Sequence, residues 1–156
     1  MAENKKTATK TQFWLFKSEP NTWGWQDQLD RKGRGEHWDG VRNFLANKHM
    51  KAMKLGDKGF FYHSVNEKRI MGSVEVIKEH YPDHTDPKGR FGMVDIVALE
   101  TAAHHVTLAE IKADPKLENM VLVNNSRLSV QPVTAKEWAY VCKMAGLNPN
   151  AENPYK

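Results

Sequence analysis

Residues 13–20 read FWLFKSEP, a run of aromatic and apolar side chains that turns polar before a proline. A short apolar run of this kind, bounded by a Pro, predicts a buried strand that leads into a turn. We take residues 13–17 as the first strand of the fold. The polar, Lys- and Thr-rich residues 1–12 lack hydrophobic periodicity, and we expect them to form a flexible tail.

The chain after this strand alternates between helical and extended patterns. It predicts an α+β domain or a small curled barrel rather than a doubly wound sheet, because regular β-α-β spacing is missing. We expect one folded unit over residues 13–148 and a C-terminal tail over 149–156. Helices are predicted over 25–31 and 41–53, strands over 59–65, 69–78 and 92–99, and further helices after the capping boxes at Thr107 and Thr134, the last running to Ala145.

Length and charge limit what the protein can be. The 156 residues suit one domain, and the net charge is +4 with an isoelectric point near 9.1. Lys5, Lys6 and Lys10 against Glu3 put half of that surplus in the predicted tail. A polyanionic partner is therefore permitted, but the nearly neutral remainder argues against tight, indiscriminate phosphate binding.

Other classes of protein fit poorly. Cys142 is the only cysteine, so neither an internal disulfide nor a multi-cysteine metal centre can form. No stretch is apolar enough to span a membrane and no secretory signal follows the polar start, so we expect a cytoplasmic location, or a nuclear one in a eukaryote.

Sequence patterns for catalysis are also missing. Phosphate-binding loops, a dinucleotide-binding glycine pattern and a serine-hydrolase elbow do not occur. His80, Asp83, His84 and Asp86 could in principle hold a divalent ion, but turn-forming prolines favour a solvated loop. We therefore expect no enzyme activity, no cofactor and no metal.

The aromatic residues point to binding. Four of the five tryptophans lie in the first quarter of the chain, and a flat ring can stack on a nucleobase for roughly 1–3 kcal/mol. Core packing is the simpler explanation for most of them. Trp38 differs because it lies in HWDGVRN, residues 37–43, where a glycine and several hydrogen-bonding groups suit a pocket.

Several short motifs, taken in order, resemble the EVE domain family. They are FKSEP at 16–20, WDGVRN at 38–43, Gly-Asp at 56–57, FYHS at 61–64, Met-Val-Asp at 93–95 and RLSVQPV at 127–133, followed by Trp138. The resemblance covers about residues 13–145. It implies a PUA-like fold, a curled mixed β-barrel flanked by short helices, and a non-catalytic module that binds a modified base, above all modified cytosine, in DNA or RNA.

The resemblance also implies site residues. By similarity to YTH readers, Lys17 and Ser18 would line the pocket and Trp38 would form one wall of an aromatic cage. Residue types and strand-end positions extend this predicted base-binding pocket to Glu19, Asn43, Tyr62, His63, Ser64, Ser129 and Gln131. Predicted phosphate or base contacts are Arg42, Arg127, Arg31, Lys32 and Arg34.

Plainer roles remain open for several of these side chains. Tyr62 could belong to the core, Arg127 could pair with Asp39, and residues 31–34 could form a solvated turn. A sensor or enzyme for a small molecule, such as a free modified nucleoside, is the alternative function. Two positions depart from the family: Gly92 replaces a common aromatic residue, and Phe44 stands where a Tyr is common.

Overall fold

The computed structural model describes residues 10–156. Most of the predicted N-terminal tail, residues 1–9, lies outside the described residues. Gln12 is attached to the domain, because its backbone N–H and side-chain amide both donate to the Asp57 carboxylate at 3.1 Å. None of the helices within residues 10–156 is long and apolar enough to span a bilayer.

A six-stranded mixed sheet forms the centre of the fold. Its strands are β1 (Phe13–Ser18), β2 (Glu36–His37), β3 (Lys58–His63), β4 (Arg69–Pro82), β5 (Gly92–Thr101) and β6 (Val130–Val133), in the spatial order β2-β5-β4-β3-β1-β6. β1 runs parallel to β3, and the other pairs are antiparallel. The predicted α+β class is confirmed and fits a PUA-like fold, but the sheet is not closed into a barrel, since β2 and β6 do not pair within residues 10–156.

Short helices cover the sheet. They are α1 (Trp25–Asp30), α2 (Phe44–Ala52), α3 (Leu108–Ala113), α4 (Val121–Asn124) and α5 (Ala135–Ala145). The capping boxes predicted at Thr107 and Thr134 are present, and α5 ends at Gly146 in the left-handed conformation. α2 begins at Phe44 rather than at the predicted Val41, because the Asn43 side chain accepts a hydrogen bond from Ala46 N–H and caps the helix there.

β1 divides the core into two clusters. Trp14 and Phe16 pack on one side with the aromatic and apolar side chains of α2 and β5, whereas Leu15 packs on the other with those of α5. Successive side chains of a strand point to opposite faces, so one six-residue strand contributes to both clusters. β6, which we did not predict as a strand, pairs with β1 at the edge of the sheet, where Pro132 is tolerated.

The C-terminal segment 149–156, predicted to be a tail, lies against the domain. Trp138 Nε1 donates to the Pro149 carbonyl at 3.0 Å, and Ala151 is buried. The side chain of Tyr155 packs next to Gly33, where an added Cβ would come within 2.8 Å of it. This segment therefore covers part of the domain surface.

Asp57 joins the segment that leads into β1 to the residues that follow α2. Its buried carboxylate accepts hydrogen bonds from Gln12, from Trp14 Nε1 at 3.0 Å and from Lys54 N–H at 2.9 Å. Removing an acceptor shared by one buried and several part-buried donors leaves those donors without their protein partner.

We expect Asp57→Ala to lower the free energy of unfolding by about 3 kcal/mol, since one buried donor and three part-buried donors lose their acceptor. Urea denaturation measures the change. Asp30→Ala, at a surface carboxylate bonded to Gln26, is the control and should change stability by less than about 0.5 kcal/mol. Equal effects of the two substitutions would contradict this role of Asp57.

Asp83 organises the loop between β4 and β5. Its buried carboxylate accepts hydrogen bonds from Thr85 N–H at 2.7 Å and Gly40 N–H at 2.8 Å, and Arg42 pairs with it at 3.2 Å. Burial alone would raise the pKa of Asp83, but the bonds from Thr85, Gly40 and Arg42 outweigh it and lower the pKa to about 2. The carboxylate therefore ties this loop to residues 40–42.

The lowered pKa predicts acid sensitivity. A group with a depressed folded-state pKa stabilises the protein above its unfolded pKa and loses that contribution as the pH falls toward its folded pKa. Between pH 5 and pH 3, wild type should lose about 1 kcal/mol more unfolding free energy than Asp83→Asn. Urea denaturation at both pH values measures this, and identical losses would contradict the assignment.

Candidate binding cleft

A cleft opens where β1 ends and β2 leads into residues 38–42. Its volume of about 430 Å³ lies within the roughly 300–1,000 Å³ range of small-molecule sites. Three segments distant in sequence build its walls. The lining residues are Lys17, Ser18, Glu19, Thr22, Trp23, Glu36, His37, Trp38, Asp39, Gly40, Val41, Arg42 and Ser129.

Trp38 is held rigidly at one wall. Its ring contacts Phe16 at 5.3 Å and Phe61 at 5.7 Å between centroids, both edge to face. The backbone N–H of Trp38 donates to the Val94 carbonyl at 2.7 Å. Phe16 and Phe61 are paired neighbours on β1 and β3. Only 8% of Trp38 is exposed, so the ring belongs to the core on one side and to the cleft on the other.

The indole N–H of Trp38 differs from those of the other tryptophans. The indoles of the other four donate to protein acceptors: Trp14 to Asp57, Trp23 to Gln28, Trp25 to Thr101 and Trp138 to Pro149. Trp38 Nε1 has no such acceptor within residues 10–156, and it is not among the buried polar atoms left without a partner. Among the described residues, Trp38 is thus the one tryptophan whose indole N–H lacks a protein acceptor.

A tight turn after β1 forms another part of the cleft wall. Thr22 N–H and Trp23 N–H both donate to the Glu19 carbonyl at 2.9 Å. The Ser18 hydroxyl donates to the Trp23 carbonyl, which fixes the end of the strand against the turn. Trp23 adds a second aromatic ring to the lining.

Lys17 and Arg42 bring positive charge to the cleft. The Lys17 ammonium donates to the Ser126 carbonyl at 2.7 Å, and partial burial lowers its pKa. Arg42 pairs with Asp83 and donates to Thr85 at 2.9 Å. Both cations are thus held in place by the protein.

Carboxylates also line the cleft. They belong to Glu19, Glu36 and Asp39. Glu36 pairs with Arg31 at 3.3 Å, whereas Asp39 faces His37 at 3.8 Å. With three carboxylates and two fixed cations, the cleft offers hydrogen-bond acceptors as well as donors, a mixture suited to a polar heterocycle.

Part of the predicted base-binding pocket comes together here. Lys17, Ser18, Glu19, Trp38 and Ser129 line the cleft, as does Arg42 from the predicted contact residues. Residues 38–42 approach the end of β1 because β2 pairs with β5. The backbone N–H of Trp38 extends this pairing by one hydrogen bond, to the Val94 carbonyl.

Tyr62 and Gln131 do not line the cleft. Tyr62 is buried in the second core cluster, and burial raises its pKa to about 12. Gln131 is fully buried, and its side-chain amide donates to the Leu128 carbonyl at 2.8 Å. Both side chains belong to the interior rather than to the predicted pocket.

Three further predicted pocket residues have structural contacts. Asn43 caps α2. His63 is buried, its Nε2 accepts from Trp25 N–H at 3.0 Å, and its Nδ1 lies 2.7 Å from a Glu67 carboxylate oxygen. Ser64 lies beside the cleft lining, because its N–H donates to the Ser18 carbonyl at 2.9 Å.

The remaining predicted basic contacts lie outside the cleft. Arg31 does not line the cleft, but it forms an ion pair with Glu36, which does. Lys32 and Arg34 are exposed in the short 3-10 turn Lys32–Arg34, and Arg127 is exposed with its N–H bonded to Asn125. The possible Arg127–Asp39 pair does not form.

Sequence reasoning missed several lining residues. Trp23 belonged to the tryptophan-rich first quarter. His37, Asp39 and Gly40 lay in the quoted HWDGVRN stretch, from which only Trp38, Arg42 and Asn43 were predicted as site residues. Glu36 and Thr22 carried no comparable signal. A two-residue strand such as β2 is too short to produce a hydrophobic pattern.

His84 approaches the cleft from the β4–β5 loop. Ligand atoms of His37, Asp39 and His84 lie within 4.8 Å of one another, and these are residue types that bind transition metals. His37 Nε2 and Asp39 Oδ2 are 3.8 Å apart, but exposed groups of this kind are common in proteins without a metal ion. Asp83 and Asp86, also in the predicted loop cluster, bond to backbone and side-chain groups of their own loop.

Gly92 lies away from the cleft. A Cβ at this position would come within 2.2 Å of the His80 ring, so the site has no room for a larger residue. The preceding Phe91 instead packs against Phe44, with 4.8 Å between ring centroids.

Comparison with known proteins places this geometry in a family. The human protein "Thymocyte nuclear protein 1" is 33% identical over 184 residues, covering 94% of this chain and 82% of the relative. A Rhodopseudomonas palustris structure shares 52% identity with a TM-score of 0.83, covering 87% of this chain and 94% of that one.

Two complexes with nucleic acid share the fold. The crystal structure of the human protein with DNA containing 5-methylcytosine aligns at a TM-score of 0.79 and 33% identity, over 89% of this chain and all of that chain. A Zygosaccharomyces rouxii YTH domain, solved with N6-methyladenosine RNA, aligns at 0.52 and 19% identity over 86% of each chain, a likeness of fold alone. The family model described as "EVE domain" matches residues 12–144, and with this fold and these relatives the chain belongs to the EVE domain family.

Proposed function

We propose that this protein is a non-catalytic binding module that holds one modified base of DNA or RNA, a modified cytosine, in the cleft. The observation that carries the proposal is Trp38, a ring packed against Phe16 and Phe61 whose indole N–H has no acceptor within residues 10–156. The human relative crystallised with DNA containing 5-methylcytosine supports the choice of ligand.

A base in this cleft would be recognised in two ways. Trp38 and Trp23 supply aromatic surface, and stacking contributes roughly 1–3 kcal/mol per base. The edge of the base needs directional contacts, and carboxylates accept hydrogen bonds from the exocyclic amino group of cytosine. Asp39 suits this role, because Glu36 is already engaged by Arg31.

Entry of a base into such a cleft requires that it leave its stack, an energetic cost that is smaller for a mismatched or unpaired base. Lys17 and Arg42 supply positive charge beside the cleft, but Arg42 is paired with Asp83. We infer that contacts to the base provide selectivity and that phosphate contacts add a modest, salt-dependent share of affinity.

Ser18 supports a non-catalytic role. Its hydroxyl lines the cleft, and it donates to the Trp23 carbonyl rather than to a general base. A serine becomes a nucleophile when a base takes its proton. Ser18 is instead used to hold the turn.

Calorimetric titration with short oligonucleotides tests the function directly. The protein should bind a strand with one 5-methylcytosine more tightly than the same strand with cytosine. Equal affinities for the two strands, and for a matched adenine/N6-methyladenine pair, would overturn the proposal.

Salt dependence separates the alternative, a sensor of free modified nucleosides. Oligonucleotide affinity should fall as salt rises, because phosphate contacts release counterions. Tight binding of the nucleoside alone, with no further gain from the oligonucleotide and no salt dependence, would favour the alternative.

Trp38→Phe should weaken binding of the modified oligonucleotide by about tenfold, because stacking area and the free indole N–H are lost while a core ring remains. A change to Ala would remove a largely buried ring and cost roughly 3–5 kcal/mol of stability, which would obscure the result. Trp138→Phe, in the second core cluster, is the control: it should lower the melting temperature without changing affinity. Unchanged affinity in Trp38→Phe would exclude the ring from the site.

Asp39→Asn should reduce the preference for a cytosine-type base by about tenfold, since the amide replaces half of the acceptor with a donor. Competition binding between oligonucleotides with modified cytosine and modified adenine measures that preference. Asp30→Asn, on the surface of α1, should leave it unchanged. Identical behaviour of the two variants would remove Asp39 from recognition.

A further inference from the structure

Phe44 is the most exposed of the large apolar side chains within residues 10–156, at 64%. Its ring packs on buried Phe91 with 4.8 Å between centroids and an interplanar angle of 31°. The guanidinium carbon of Arg90 lies 5.9 Å from the Phe44 ring, and that of Arg42 lies 5.7 Å from the Phe91 ring. These four residues form an aromatic and cationic ridge, which we call the Phe44 ridge.

The Phe44 ridge is fixed to the sheet. Asn43 caps the helix at the residue before Phe44, and one helical turn later the Asn47 side-chain oxygen accepts from Gly92 N–H at 3.0 Å. Below Phe44, Phe91 N–H donates to the Asp86 carboxylate at 2.8 Å. The exposed ring is therefore carried by elements whose positions are already set.

The ridge adjoins the cleft. Arg42 lines the cleft and also contacts Phe91, so its guanidinium carbon lies within about 11 Å of the Phe44 ring centroid. A base that leaves its stack to enter the cleft leaves a gap in the strand at this short range. Exposed apolar side chains of other nucleic-acid-binding proteins insert between base steps and partly unstack them.

Charge favours nucleic acid over another apolar partner. Arg90 stands beside the ring and forms no ion pair with a carboxylate of the described residues, whereas Arg42 is held by Asp83. A free guanidinium beside an exposed ring suits a duplex, which presents phosphates next to stacked bases. A protein partner with an acidic, apolar surface would be the other occupant.

We propose that Phe44 is a wedge that enters a duplex next to the extracted base, while Arg90 contacts a phosphate flanking the gap. This inference rests on the proposed function, because it needs a base in the cleft. It also assigns a preference for double-stranded nucleic acid, since a single strand has no partner strand whose stack the wedge must support.

Binding to duplex and single-stranded DNA tests the wedge. The probe is a short duplex with one central 5-methylcytosine and 2-aminopurine beside it, together with the same labelled strand alone. Phe44→Ala should weaken duplex binding about tenfold and single-strand binding much less, and should reduce the 2-aminopurine fluorescence increase that accompanies unstacking. Phe44→Leu should restore part of both, because leucine also serves as a wedge.

Matched controls separate the wedge from general surface effects. Leu55→Ala removes an apolar side chain that is also exposed, at 62%, outside the ridge, and should leave duplex affinity unchanged. Arg90→Gln should weaken modified and unmodified duplexes equally and reduce the salt dependence of binding by about one phosphate contact. Thermal melts of each variant, compared with wild type, report whether the fold is kept.

Two outcomes would overturn the wedge. One is an equal loss on duplex and single strand in Phe44→Ala, or none on either. The other is unchanged duplex affinity with a shift from dimer to monomer in sedimentation, which would assign the ridge to contact with a second copy of this chain. Failure of the proposed function gives a different result, in which wild type does not discriminate methylated from unmethylated DNA. The ratio of duplex affinity to single-strand affinity in Phe44→Ala, compared with wild type, would still report on the wedge.

Discussion

Alternation along β1 is the constraint on which the molecule depends. The strand pairs with β3 on one side and β6 on the other, so its register is set twice. Trp14 and Phe16 enter one core cluster and Leu15 enters the other. A shift of the register by one residue would exchange the two faces of β1. Trp38 would lose its contact with Phe16, and α5 would lose the cluster that contains Leu15.

The cleft depends on contacts between segments far apart in sequence. Residues 17–23 come from the end of β1, residues 36–42 cross from β2, and Ser129 precedes β6. Asp83 joins the middle segment to the β4–β5 loop through Gly40 and Arg42. A buried carboxylate with several donors is rigid as well as stabilising, because each bond restrains a different backbone segment.

Strands and capped helices were predictable because their signals are local. β1, the capping boxes at Thr107 and Thr134, and the glycine stop of α5 follow from residue types at fixed spacing. β6 was missed because it is short and contains Pro132. α2 was predicted too long because Val41 fits its periodicity but lines the cleft.

The site was predictable only in part, for a geometric reason. Phe61 and Tyr62 are adjacent on β3, so they point to opposite faces, and Phe61 is the one that meets Trp38. The sequence alone does not show which of the two alternating sets of side chains on a strand faces a cleft. Nor does it show that His63 and Asn43 are occupied as partners of the N–H groups of Trp25 and Ala46.

The fixed ring of Trp38 has a kinetic and thermodynamic meaning. Phe16 and Phe61 pack edge to face against the indole, so core contacts place this wall without a ligand. Ordering an interfacial side chain on binding costs about 0.5–1.5 kcal/mol, and here folding has already met that cost. A flat ligand would therefore bind to a preorganised surface. Differences in affinity between such ligands would then come mainly from their dissociation rates.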